Sequence, residues 1–369
     1  MPLGPLDDYL VHQTTDPVDH VFTSDRNFYD RYYFNLHASS DELFLVTGLG
    51  QYPNLGVTDA FVCVSHGDRQ YTVRASRELG SDRMDTSVGP FRFEVLEGLR
   101  RLRLVCEENE WGVAFDVVFD GVHEALLEPK TVKKSFVRTT YETTRFAQVG
   151  GYGGTLTVAG RTYDVQPDRW KGARDRSWGV RPVGEPEAPG IRANEPRAAG
   201  FFHNWLPMQF DDYLLKVYIE EGPDGERTLE EAVKVPNFGI DAPHELLGSP
   251  THRMTYHPGT REVAGATIGF AHSPLTVKTT PLRTVNLGMG SGYMPQPDWA
   301  HGMYQGPLVV QGFEYDASTP QARARTFGLN ETLSRFDASD GDVGYGMHEN
   351  LIAGIYRPYG FDRPDSVAK

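Results

Sequence analysis

Gly172-Ala173-Arg174-Asp175-Arg176-Ser177-Trp178-Gly179 lies almost at the midpoint of a 369-residue chain. If this stretch is extended, alternation puts Arg174, Arg176 and Trp178 on one face and Asp175, Ser177 and Gly179 on the other. A strand that turns charge to both faces needs a reason for its buried side. The reason is either a structural ion pair or a working site.

Upstream of the block, Thr155-Leu156-Thr157-Val158, Ala159-Gly160 and Arg161-Thr162-Tyr163-Asp164-Val165 read as strand, turn and strand, a hairpin. Downstream, Arg181-Pro182-Val183-Gly184-Glu185-Pro186-Glu187-Ala188-Pro189-Gly190 holds three prolines and cannot continue a strand or helix. A domain joint is expected there, dividing the chain into residues 1–190 and 191–369. In the first part, runs such as Phe28–Leu36, Leu43–Thr47, Ala60–Ser65, Tyr71–Ala75 and Trp111–Phe119 are separated by turn signals. Val113, Phe115, Val117 and Phe119 alternate with Ala114, Asp116, Val118 and Asp120, a period of two. The second part repeats the pattern, with extended runs at Phe201–Met208, Tyr213–Glu220, Gly265–Phe270, Leu308–Tyr315, Ala324–Leu333 and Val343–Glu349. Thr228–Ala232 is read as a single helical turn. The expectation is an all-β protein with two antiparallel β-barrel domains in tandem.

Composition sets bounds on partners. The net charge of −14 argues against nucleic acid and anionic membrane surfaces, which attract basic patches. No apolar run reaches about 18 residues, so no membrane-spanning helix is expected. The opening Met1–Asp8 lacks the basic and apolar regions of a secretory signal, and the tail after Pro364 is expected to be loose. Cys63 and Cys106 fall in strand-like segments and read as reduced core thiols, in keeping with a cytoplasmic protein.

The Arg-Asp-x-Ser-Trp-Gly block, preceded by a glycine-containing hairpin and followed by a strand-rich half, resembles the two-domain lipocalin-like family. That family includes the carotenoid 1,2-hydratases and the fungal decalin-forming Diels–Alderases. The resemblance implies two calyx-like barrels with apolar ligand sites, acting without metal or organic cofactor. It also implies that Asp175 occupies the place of the aspartate thought to protonate an isoprenoid double bond in the hydratases. Two departures stand out. Ala173 occupies the position of a hydratase tyrosine, and nothing near Arg145–Gln148 matches the hydratases' upstream His-x-Trp pair.

An alkene is protonated by a carboxyl that stays neutral near physiological pH, which burial in an apolar pocket achieves. Asp175 is the candidate acid, and Trp178 can face the resulting cation. Arg174 and Arg176 flank Asp175 and favour its ionised form, but alternation points both away. The competing reading has Asp175 accepting backbone or arginine hydrogen bonds at the joint. In Phe201-Phe202-His203-Asn204-Trp205, alternation places Phe201, His203 and Trp205 on one face. His203 is the candidate base or ligand donor, with an ordinary pKa of about 6.5; its competing reading is a buried neutral histidine. Arg176, Ser177, Trp178, Trp205 and Tyr213 are the expected substrate-binding residues. Glu314 and Glu349 are expected to pair with Arg174 or Arg176.

Several familiar motifs fail. Gly151-Tyr152-Gly153-Gly154 is followed by a strand, not by the helix that would cradle phosphate. His244-Glu245-Leu246-Leu247-Gly248 lacks the second histidine of a zinc-protease helix, and His252 and His257 have no cysteine companions. The leading expectation is a hydrophobic small-molecule ligand (isoprenoid, steroid, polyketide or acyl chain) bound without cofactor. Hydration, dehydration, isomerisation or cyclisation at a C=C bond would follow. The alternatives are a non-catalytic carrier and an interaction scaffold with filled barrels.

Overall fold

Period-two apolar patterning, frequent turns and scarce helical periodicity produce a molecule made of strands. The computed structural model describes residues 3–12, 14–182, 190, 200–294 and 296–369, so the expected joint falls largely outside the described residues. The first thirteen strands are β1 (Phe28–His37), β2 (Leu43–Tyr52), β3 (Val57–His66), β4 (Arg69–Glu78), β5 (Ser87–Val88), β6 (Phe91–Glu97), β7 (Arg101–Cys106), β8 (Val113–Gly121), β9 (Leu126–Leu127), β10 (Thr131–Ser135), β11 (Arg138–Val158), β12 (Arg161–Val165) and β13 (Lys171–Val180). They are followed by β14 (Gly200–Gln209), β15 (Tyr213–Glu221), β16 (Arg227–Pro236), β17 (Glu245–Leu246), β18 (Pro250–Tyr256), β19 (Val263–Phe270), β20 (Ser273–Asn286), β21 (Leu308–Asp316), β22 (Asn330–Ala338) and β23 (Val343–Gly354).

Two antiparallel sheets result. The first follows the order β21-β4-β3-β2-β1-β13-β11-β8-β7-β6-β5 and nearly closes into a barrel. Arg77 Nε on β4 reaches Ser87 O on β5 at 2.7 Å, tying its far ends together. The second follows β17-β16-β15-β14-β23-β22-β20-β19-β18 and curls into a half-barrel. One strand crosses between the halves: β21 pairs with β4, Gln311 opposite Arg74, completing the first sheet from the C-terminal part of the chain.

The hairpin at Ala159-Gly160 is present, with both turn residues at positive φ (50° and 79°) as a tight hairpin turn requires. Two local readings are corrected. Thr228–Ala232 belongs to strand β16, because pairing with β15 and one-sided burial override the local helical pattern. Residues 324–329 are not extended. Thr319 caps a short helical turn at Pro320–Arg323, and the strand begins only at Asn330.

Each strand's two faces have separate destinations. Tyr32, Phe34, Leu36, Phe93, Phe119, Tyr152 and Trp170 fill the first barrel. The void left among Phe34, Leu45, Leu104, Phe115 and Tyr152 is about 10 Å³, so this barrel is packed rather than a calyx. Phe202, Leu206, Leu215, Val217, Ile219, Phe336 and Ile352 fill the concavity of the second sheet. A third core lies between the sheets: Tyr33, Phe44, Val46, Phe61, Ala147 and Ala173 from the first meet Trp205, Leu214, Tyr218, Leu333 and Met347 from the second. The sheets therefore join back to back along a seam. Cys63 and Cys106 are buried free thiols. No helix among the described residues is long and apolar enough to cross a membrane.

Candidate functional site: a polar hollow in the seam

Strand β13 sits between β1 and β11, with Asp175 opposite Tyr33 on one side and Ala147 on the other. Its end glycines permit this fit. A Cβ at Gly172 would strike the carbonyl of Asn35, and Gly179 (φ 133°) lies against the carbonyl of Glu142. Alternation then sends Arg174 and Arg176 toward the barrel and Asp175 and Ser177 into the seam, as expected from the sequence.

The arginines are structural. Arg174 makes a fork to Asp8, Nη1–Oδ1 2.5 Å and Nη2–Oδ2 3.1 Å, and its Nε donates to Gln148 at 3.0 Å. Arg176 pairs with Asp30 and donates to the Tyr9 carbonyl at 2.7 Å. Arg83 donates to the Leu10 carbonyl, and Tyr32 donates to the Asp8 carbonyl at 2.6 Å. The N-terminal residues Asp8–Leu10 thus plug one end of the barrel, and every carboxylate there has a cation. The expected pairing of Arg174 and Arg176 with Glu314 and Glu349 is corrected. Glu314 meets Arg69 at the surface (3.2 Å), and Glu349 meets His203 (2.9 Å), because both glutamates lie on other faces.

Asp175 and Ser177 face a partly open hollow of about 260 Å³ in the seam, whose rim includes the exposed Lys133. Strands β1, β11 and β13 of the first sheet wall one side with Tyr29, Tyr33, Thr143 and Arg145. Strands β14, β15, β22 and β23 of the second wall the other with Phe201, His203, Tyr218, Glu220, Glu331, Glu349 and Leu351. Arg181 and Tyr293 close one end. A smaller hollow of about 130 Å³, lined by Pro182, Gly292, Ala300 and His301, shares Tyr141, Arg181 and Tyr293 with it.

Four expected site residues are not in this hollow. Arg176 and Trp178 project to the barrel side, where Trp178 stacks on His12 (4.6 Å between centroids). Tyr213 lies on the concave face of the second sheet with Leu215 and Val217, its hydroxyl bonded to Asp342 at 2.9 Å. Trp205 shares the seam face with His203 but is buried one row deeper, its Nε1 donating to Glu128 at 2.8 Å. Alternation assigns a face; it does not say whether a position on that face is packed or hollow.

Charges in the hollow are pushed apart. Burial raises the Asp175 carboxyl to about 6, against the opposing pull of Arg145. Among the described residues, no donor bonds to that carboxyl. Glu331 lies across the strand pair from Glu349 and is held well above the usual carboxylate range, first by burial and then by Glu349. Its Oε2 is buried with no partner among the described residues. Burial alone would keep His203 neutral, but Glu349 at 2.9 Å and Glu220 at 3.7 Å overcome it and lift the imidazole to about 9. Burial would likewise raise Glu220, but His203 and Lys133 bring it down to about 2. Near neutrality the hollow therefore holds a cationic His203 and an Asp175 that is mostly ionised, with a protonated fraction of about a tenth, beside a Glu331 that burial and Glu349 bias toward its protonated form. His203 is thus a hydrogen-bond donor and not a free base, and the buried neutral reading is also corrected.

Arg145, Arg181, Tyr33, Tyr218, Tyr293 and Glu331 escaped the sequence reading. For Arg145 the available signal was the alternation of Thr143, Arg145 and Ala147, hidden because β11 runs unbroken through its glycines from Arg138 to Val158. For Glu331 it was an acidic residue two positions before Leu333 in a strand.

An all-β frame of two back-to-back antiparallel sheets, with an ionisable hollow between them, is the class this geometry defines. The chain belongs to a family of unknown function, DUF8625, whose model matches residues 3–362. No curated protein matches it. Among solved structures it is similar to CghA with Sch210972, at 9% identity and a TM-score of 0.44, with 98% of each chain covered. It is also similar to a second structure of CghA, at 10% identity and a TM-score of 0.43, again with 98% of each chain covered. At these scores the strands overlay loosely, and nothing about the hollow follows from the likeness.

Proposed function

We propose that the seam hollow binds a small molecule with an apolar body and oxygen substituents, and that Asp175 donates a proton to a C=C bond of it without a cofactor. The observation carrying this reading is the Asp175 carboxyl: it faces the seam hollow, no described donor holds it, and burial lifts it to about 6. In the step, the alkene π pair takes the Asp175 proton to form a C–H bond. The carbocation then captures water, which loses a proton, or releases a neighbouring proton to give an isomer. The rings of Tyr33, Tyr218 and Tyr293 supply electron-rich faces for the cation. His203 donates to a ligand oxygen, and Glu331, biased toward protonation by burial and Glu349, lies on the same wall.

The Arg174–Gly179 block, through which the chain resembles the lipocalin-like family of hydratases and Diels–Alderases, supports the same ligand classes. The many hydroxyls and charges of the hollow favour their oxygenated members over plain hydrocarbons. The test is to extract the purified protein with organic solvent, identify the ligand by mass spectrometry and follow it during incubation. Asp175→Asn abolishes conversion and preserves binding; unchanged conversion removes Asp175 from the mechanism.

A carrier is the second reading. It is favoured by one observation: His203–Glu349, Tyr218–Glu220 and Arg145–Glu128 are already closed on each other, as in a rigid binding wall. A carrier releases its ligand chemically unchanged after incubation.

A further inference from the structure

The charged groups of the seam are not equally satisfied. Arg31 pairs with Asp59 at 3.0 Å, and Arg145 pairs with Glu128. Arg74 is buried without a carboxylate, yet its Nε and Nη2 both reach Gln311 Oε1 (2.9 and 2.7 Å). Arg181 differs. Its backbone N–H is anchored to the Asn27 carbonyl at 3.2 Å, immediately after β13. Its guanidinium stacks on Tyr29 (4.2 Å) and approaches Tyr293 (5.5 Å). No described carboxylate pairs with it, and its Nε, like the Nε and Nη2 of Arg31, has no acceptor among the described residues.

Among the described residues its one polar side-chain contact is long. Arg181 Nη2 lies 3.4 Å from His301 Nδ1. His301 Nε2 faces the Ser291 carbonyl at 3.1 Å, so Nε2 carries the proton and Nδ1 is the acceptor. The neutral imidazole carries no charge to offset the part-buried guanidinium. Arg31 approaches the same Tyr293 ring (5.3 Å), but its charge is already matched by Asp59. Tyr293 lines both hollows, and its hydroxyl makes no hydrogen bond among the described residues.

We propose that Arg181 and the Tyr293 hydroxyl form a carboxylate-binding subsite at the neck between the two hollows, so that the ligand is an organic acid. This rests on the reading of the seam hollow as a ligand site. A planar carboxylate suits a guanidinium fork, which gives it two parallel ion-pair hydrogen bonds, whereas a carboxamide offers one acceptor oxygen and no negative charge. Anchored there, the apolar body extends toward Asp175 and His203. The bound carboxylate also cancels the field of Arg181 on Asp175, which favours the protonated form that the proposed reaction needs.

The experiment compares octanoate, octanamide and 1-octanol at pH 8 by calorimetry and ligand-detected NMR, on the wild-type chain, Arg181→Gln and Arg181→Lys. Octanoate is expected to bind the wild type about tenfold more tightly than octanamide, the scale of one charge-assisted bond. Arg181→Gln brings octanoate to within about twofold of octanamide, chiefly by weakening octanoate, while Arg181→Lys keeps part of the preference. Equal binding of acid and amide to the wild type overturns the carboxylate subsite and leaves the seam reading standing. A preference that persists in Arg181→Gln also overturns it. Failure of all three probes to bind overturns both readings. The wild-type comparison needs no variant, so the inference stays exposed even if Arg181→Gln fails to fold.

Discussion

The two faces of β13 carry charge to opposite fates. On the barrel face, Arg174 and Arg176 each meet a carboxylate and a backbone or amide acceptor, and both are fully buried. On the seam face one residue away, Asp175 meets no described donor and opens on a hollow. Saturated charge closes a structure, whereas unsaturated charge beside empty space marks a place where a ligand completes the set. The contrast extends to the cores: the first barrel is packed to a void of about 10 Å³, and the seam keeps about 260 Å³ open.

The strongest way to break this comparison is at Asp8. Asp8→Asn leaves Arg174 a buried cation without its counter-ion and is expected to cost about 3–5 kcal/mol in urea unfolding. Ligand affinity in the folded fraction should not change; a matching loss of affinity would mean that the two faces are coupled.

Next is the pH response of His203. Its folded pKa of about 9 exceeds the ordinary 6.5, so its contribution is complete below about pH 6.5 and is lost as pH rises through 9. The full swing amounts to about 3 kcal/mol at most. His203→Gln should flatten the wild-type fall in stability over that window, and an unaltered slope would assign it to another group. On the acid side, Glu220 is held at about 2 against an ordinary 4.5, so its contribution is present above pH 4.5 and fades as pH falls toward 2.

Asp175→Asn sharpens the contrast in the opposite sense. A carboxyl raised from 3.8 to about 6 binds its proton more tightly folded than unfolded, so the native state weakens as pH rises through that window. The amide removes this penalty and should stabilise the protein at pH 8 by about 1–3 kcal/mol. A destabilised variant would mean that Asp175 is already satisfied. The smallest effect is expected from Trp178→Leu, which loses the stack on His12 at a cost of about 1 kcal/mol and leaves ligand affinity as it was. A change in affinity would return Trp178 to the site.

Much of the frame was legible in the residues. Tight turns such as Ala159-Gly160 and the period-two run at Val113–Phe119 announce their strands locally. Of the expected site, Asp175, Ser177 and His203 do meet in one hollow, whereas Arg176, Trp178, Trp205 and Tyr213 do not. The misses share a cause. Tyr213 and Tyr218 stand on one strand at odd and even places, and only the position of the opposing sheet distinguishes a core face from a cavity face. The strand at Leu308–Asp316 was also readable, but its place in the first sheet was not, because Gln311 finds Arg74 across most of the chain.

Sequence alone determined that the residues of β13 divide by turns between two faces, because side-chain alternation is a property of the extended backbone itself. Tertiary structure decided which partners each face would meet: Asp8 for Arg174 from 166 residues away, and Glu331, Glu349 and His203 around Asp175. Burial and ion pairing depend on groups that fold together from distant parts of the chain. The ionisation that distinguishes Asp175 from an ordinary aspartate therefore exists only once the seam has closed.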